Sequence, residues 1–223
     1  MHFICVHGVL HGGWCWDQTA QDLRAMGHTV ATPDLPLTSL EDDAQTIIDL
    51  LDEIDGPKAL VGHSYGGLVI SKAAGTRTDI DHLYFVAAIM ADANEIFLET
   101  SAAYPTKFSE ALNIHDDGTF TVVKGKEQES FYHKCPPDIV EAAIGKLRPT
   151  AMACLMGASG ASPWDQIPAT YIVCRQDQAI DPALQDIMAK RAKYVVELDT
   201  DHSPFASMPK EFLAILTGAP TNA

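Results

Sequence analysis

The strongest chemical signal in the sequence is a hydroxyl set on a turn between glycines. Gly62-His63-Ser64-Tyr65-Gly66-Gly67 contains the pattern Gly-x-Ser-x-Gly. Usage of roughly 7% per residue would place that pattern in about one chain in ten of this length by chance, so context must decide. The context is present: Lys58 to Val61 reads as a strand immediately before it, and a helical pattern opens at Tyr65. Glycines at 62 and 66 admit neighbouring strand and helix, while the tight turn strains Ser64 and lifts its hydroxyl into the open. The same turn leaves the Tyr65 amide at a helix N-terminus, where an unsatisfied donor can face a developing oxyanion.

A serine hydroxyl is a poor nucleophile until a base takes its proton. His202 lies in Asp199-Thr200-Asp201-His202-Ser203-Pro204, a polar loop after the last expected strand, where the chain order Ser, acid, His puts a base. His63 is expected to point away from Ser64, His7 and His11 precede it, and His28, His82, His115 and His133 have no comparable setting. The acid must accept the other imidazole N–H. Asp177 follows the expected strand Ala169 to Cys174 directly; Asp181 precedes Pro182 and reads as a helix N-cap, and Asp92 is an alternative acid position. A second oxyanion donor is expected from the loop His7-Gly8-Val9-Leu10-His11-Gly12-Gly13-Trp14, with the Val9 amide as the candidate. The same glycines are compatible with a plain helix start. Leu10 and His11 are the expected substrate contacts. No His-Glu-x-x-His motif partners His7 and His11, so neither a metal nor a cofactor is expected.

These groups need a scaffold that brings distant loops to one rim. Short apolar runs alternate with helical patterns: strands at Phe3 to Val6, Thr29 to Thr32, Lys58 to Val61 and Leu83 to Ala88, helices at Trp14 to Met26, Leu40 to Ile54 and Tyr65 to Ala74. That alternation predicts an α/β fold, a mostly parallel sheet covered by helices on both faces. Residues 90 to 165 break the rhythm and read as a short helical cap insertion over the C-terminal sheet edge. The rhythm resumes with Ala169 to Cys174, a helix at Pro182 to Arg191, a strand at Tyr194 to Leu198 and a helix at Pro209 to Leu216. A length of 223 residues fits one domain over 1–223.

Fifteen Lys and Arg against thirty Asp and Glu give a formal charge of −15, which disfavours nucleic acid and anionic membrane surfaces. Lys190-Arg191-Ala192-Lys193, the densest basic group, reads as a solvated helix end. Met1 to Val6 lacks the basic start of a secretory leader, and the five scattered cysteines suit a reducing compartment, so a cytoplasmic protein is expected.

Several stretches resemble the α/β-hydrolases of the plant methylesterase and hydroxynitrile lyase group and their bacterial pyrethroid-hydrolase-type carboxylesterase relatives. They are Val6 to Trp16, Gly62 to Gly67, Ala87 to Met90, Phe131 to Pro137 with Leu147-Arg148-Pro149, Tyr171 to Asp177, and Asp201-His202. The resemblance implies Ser64 as nucleophile, Asp177 as acid, His202 as base, and the Val9 and Tyr65 amides as oxyanion hole. The lyases carry threonine after the first-strand histidine and lysine after the catalytic one. Gly8 and Ser203 stand there instead, which matches the esterase branch. The expectation is a serine carboxylesterase acting on small, neutral, fairly hydrophobic esters. A hydroxynitrile lyase and a slow-turnover ligand receptor are the alternatives, and a homodimer is left open.

Overall fold

The computed structural model describes residues 1–75 and 77–218; Thr76 and the last five residues of the expected 1–223 domain lie outside the described residues. In chain order, β1 (His2–Val6) leads through a 3-10 turn into α1 (Asp17–Ala25), followed by β2 (Thr29–Ala31), α2 (Leu40–Asp52), β3 (Lys58–His63), α3 (Gly66–Ala74) and β4 (His82–Val86). A long excursion holds α4 (Phe97–Ser101), α5 (Lys107–Glu110), β5 (Leu112–Ile114), β6 (Thr119–Val122), α6 (Pro137–Ile144), β7 (Thr150–Ala151) and α7 (Ala153–Met156). The chain closes with β8 (Ala169–Cys174), α8 (Pro182–Ala189), β9 (Tyr194–Leu198), α9 (Pro204–Ser207) and α10 (Pro209–Thr217).

The main sheet runs β2-β1-β3-β4-β8-β9, and every neighbouring pair is parallel. Central strands β3 and β8 are buried along their whole length, which their near-continuous apolar runs require. Alternate residues feed opposite layers: Ile4 and Val6 join the core under α2, α3 and the excursion, while Phe3 and Cys5 join the core under α1 and α10. α2 is set by its own chemistry. The Ser39 hydroxyl accepts from the Asp42 amide at 3.1 Å, three acidic residues fill the first turn, and Leu40, Ala44, Ile47 and Leu51 form one buried stripe.

From β1 the chain goes to β2 on one side and then to β3 on the other, so strand order reverses between β1 and β3. A crevice opens at the carboxyl ends of strands at such a reversal. Gly8 and Ser64 leave the sheet there, each just past its strand.

Two expectations are corrected. The excursion is not helical throughout: β5, β6 and β7 form a three-stranded antiparallel sheet. Thr119-Phe120-Thr121-Val122 alternates half-buried and buried residues, and Gly118, at φ +80°, makes the turn before it. The basic group at 190–193 is not simply solvated. Arg191 donates to the Met90 carbonyl and to Glu95 at 2.7 Å, and lies 3.2 Å from Asp92, tying α8 to the root of the excursion. Among the described residues, no helix is long and apolar enough to cross a membrane.

Candidate active site

Ser64 sits between β3 and α3 at φ +54°, a left-handed conformation unusual for a residue with a side chain. It is held there by backbone: its amide donates to Val86 O at 3.2 Å, and its carbonyl accepts from Gly67 at 3.0 Å and Ile89 at 2.9 Å. A Cβ on Gly66 would stand 2.5 Å from Val6 O, so only glycine lets α3 pack this close to β1.

His202 follows β9. Its Nδ1 donates to Asp177 Oδ2 at 2.7 Å, and both side chains are buried. Asp177, after β8, is a fully engaged carboxylate. Oδ1 accepts from the amides of Ala179 (2.7 Å) and Ile180 (3.0 Å), and Oδ2 accepts from Gln185 Nε2 (2.8 Å) as well as His202. Gln185, on α8, also donates to Ile180 O and accepts from the Cys174 amide, which leaves it no freedom to release Asp177. With Nδ1 committed, Nε2 is the ring nitrogen left to act as a base. Ser64 Oγ has no hydrogen-bond partner among the described residues, so only the Asp177–His202 contact is closed in this structure. Proton transfer between the two would require the serine hydroxyl to approach Nε2.

Asp181 serves as the expected N-cap, accepting from the Ala183 amide at 2.7 Å, and Asp92 is exposed beside Arg191. Neither pairs with His202.

Two further groups brace His202. His63 Nε2 donates to the His202 carbonyl at 2.8 Å, and the two rings lie 4.5 Å apart. Burial, reinforced by the neighbouring His202 and His11, holds the His63 imidazole well below its usual pKa. Buried Asp201 accepts from the Ser203 amide at 3.2 Å and, across the excursion, from the Lys134 amide at 2.7 Å and the Cys135 thiol at 3.5 Å. Position next to His202 was the only sequence hint of Asp201's role, and Gln185 and His63 gave none.

A cavity of about 80 Å³ opens over Ser64, walled by Val9, Tyr65 and Ile89 of the body and by Phe97, Leu98 and Phe108 of the excursion. The amides of Val9 and Tyr65 donate to no described residue, and both residues line this cavity. Among its described lining residues the one charged side chain is Asp181. Leu10 and His11, the expected substrate contacts, do not line it. Leu10 is buried at φ +65° with its amide on Thr150 Oγ1 at 2.8 Å, and His11 is buried against Tyr132. Behind the pocket, the Tyr65 hydroxyl donates to buried Asp43 at 2.7 Å. Among the described residues, no group of three or more His, Cys, Asp or Glu side chains is placed to hold a metal.

The sequence pattern of the Alpha/beta hydrolase family matches residues 3–215. Methylesterase 7 of Arabidopsis thaliana is 30% identical over 96% of this chain and 94% of its own length. Pheophorbidase of Raphanus sativus is 29% identical over 98% and 94%. A pyrethroid hydrolase from Sphingobium faniae JZ-2 superposes with a TM-score of 0.85 at 22% identity, covering 97% of this chain and 95% of that one.

Proposed function

From the premise that this chain belongs to the alpha/beta hydrolase family, we propose that it is a serine carboxylesterase for small, neutral, fairly hydrophobic esters. The observation that carries the reading is convergence at one sheet rim. What supports it is the buried Asp177–His202 pair after β8 and β9, the strained Ser64 after β3, and a cavity over Ser64 lined by Val9 and Tyr65, whose amides donate to no described residue.

In the proposed reaction His202 Nε2 takes the Ser64 proton as Oγ attacks the ester carbonyl. Asp177 keeps the Nδ1–H tautomer and stabilises the imidazolium. The carbonyl oxygen becomes an oxyanion that accepts from the Val9 and Tyr65 amides. Collapse breaks the C–O bond, and the alcohol leaves with the proton from His202. Water, deprotonated by the same nitrogen, attacks the acyl-enzyme, releases the acid and restores the Ser64 hydroxyl. No cofactor enters these steps.

Apolar walls favour an uncharged acyl group, and Asp181 disfavours a free carboxylate on the substrate. The cavity is small beside the several hundred Å³ of drug-sized sites, which favours short acyl groups. The methylesterase and pyrethroid hydrolase relatives are consistent with carboxylic esters of this kind. A net charge of −15 favours a small neutral substrate over nucleic acid or anionic membrane. A Cβ at position 8 would lie 2.8 Å from Ser64 Cβ, which leaves no room for the threonine of the lyases.

The test is hydrolysis of p-nitrophenyl acetate, butyrate and octanoate. S64A is expected to lower kcat by about 10⁴-fold or more, and a serine-directed phosphonate to label residue 64 of the wild type. Turnover undiminished in S64A would refute the proposal.

A further inference from the structure

The loop between β1 and α1 carries four consecutive carbonyls, and each has a donor. Gly8 O accepts from His7 Nδ1 at 2.8 Å, and Val9 O from His11 Nδ1 at 2.7 Å. Leu10 O accepts from the Arg148 amide at 2.9 Å, and His11 O from Arg148 Nε at 2.8 Å. A peptide's N–H points opposite its own carbonyl. Fixing Gly8 O therefore fixes the direction of the Val9 N–H, and fixing Val9 O holds the plane on the other side of that residue.

Both histidines are constrained to the tautomer this task needs. A carbonyl at Nδ1 requires the proton there, and each Nε2 is occupied as an acceptor: His7 by the Leu35 amide at 3.0 Å, His11 by the Tyr132 hydroxyl at 2.6 Å. Burial lowers His7 to about 4 and His11 to about 3, so neither gains a second proton near neutrality. Tyr132 ends a π-helical turn, Gln128–Tyr132, in the excursion, whose preceding residue Phe131 packs 5.8 Å from the His202 ring. One turn of the excursion thus touches both the base and, through His11, the loop bearing the Val9 amide.

We propose that His7 and His11 are positioning residues that lock the two peptide planes flanking Val9, and that Tyr132 of the excursion sets His11 in that role. The inference rests on the esterase reading, in which the Val9 amide stabilises the oxyanion. Tyr132 makes the lock dependent on the excursion's placement. Without its hydroxyl, His11 keeps one hydrogen bond, to Val9 O, and loses the contact at Nε2 that fixes its ring in that orientation.

The experiment compares H11N, H11Q and Y132F on p-nitrophenyl acetate, with thermal midpoints measured for each. An Asn amide reaches where Nδ1 sits and can still donate to Val9 O; a Gln amide reaches where Nε2 sits and cannot. H11Q is expected to lose about 10- to 100-fold in kcat with KM within about twofold, since removing an oxyanion donor outright costs about 10²- to 10³-fold. H11N should retain several-fold more kcat than H11Q, and Y132F should fall in kcat by a smaller factor. H7N is likewise expected to exceed H7Q. Folded H11Q and Y132F at wild-type kcat, a loss confined to KM, or H11N no better than H11Q would each overturn the proposal. A wild type lacking Ser64-dependent hydrolysis would instead overturn the esterase reading, and this inference with it.

Discussion

Ser64, His202 and Asp177 were legible as candidates because each announces itself locally: a glycine-flanked serine, a polar loop past a strand, an acid directly after a strand. Side chains whose work is done through tertiary contacts were not. Gln185 lies eight residues from Asp177, and the carbonyl that engages His63 lies 139 residues away, distances that no spacing rule covers. Leu10 and His11, expected as substrate contacts, do not line the cavity over Ser64, because a loop's position does not reveal which way its side chains turn. Gly8 yields a sharper test at this scale. A Cβ there would stand 2.8 Å from Ser64 Cβ and 3.3 Å from His63 Nδ1. Gly8→Ala is therefore expected to displace the serine and reduce kcat by about tenfold or more, because misplacements near 1 Å can cost about 10²-fold. An unchanged far-UV circular dichroism spectrum would show that the fold survives, and wild-type kcat would contradict the close packing.

The periodic elements of the body followed from hydrophobic spacing, with ends shifted by up to three residues. The small sheet of the excursion did not, although Asp117-Gly118 and the alternation in Thr119–Val122 were visible signals. Strands this short carry little periodicity, and the prolines and glycines around them dominate the pattern. Arg191 was misread for another reason: its anionic partners lie some hundred residues earlier, across the sheet rim. The excursion is also tied to the base loop, where Asp201 accepts from the Ser203 and Lys134 amides with different oxygens. Asp201→Asn must turn an NH₂ group toward one of those N–H donors. The expected result is a loss of about 1–3 kcal/mol in unfolding free energy, read by urea denaturation, with a lower kcat because His202 is the next residue. Equal urea midpoints and equal kcat would remove Asp201 from the bracing of the base.

For the molecule as a whole, burial of neutral histidines links stability to pH. His7 and His11 are lowered from 6.5 to about 4 and about 3, and His63 is lowered as well, so between about 6.5 and 4 the unfolded chain binds protons that the native state refuses. Their contribution is complete above about 6.5 and is lost as pH falls toward those native values. Asp43 acts in the opposite sense, since burial raises its carboxyl and acid then favours the native state, but it is one group against these three and His82, which burial also lowers. The thermal midpoint is expected to fall steadily from pH 7 to pH 4.5, and a flat profile over that range would contradict the neutral, buried state of these rings. The parallel sheet was readable from the alternation of strand and helix; the strand order was not, nor the linkage, because that depends on which histidines the packing seals away.

Asp181 gives the cavity a consequence beyond substrate choice. Ester hydrolysis turns a neutral guest into an ion at the moment of release, and the acid product ionises within a chamber whose described lining has a carboxylate as its one charge. Like charges repel, so an ionised acid product formed beside Asp181 would be held less tightly than the neutral ester. Under the proposed function the pocket is therefore expected to be a poor host for the acid, so product inhibition should be weak and should grow when added salt screens the repulsion.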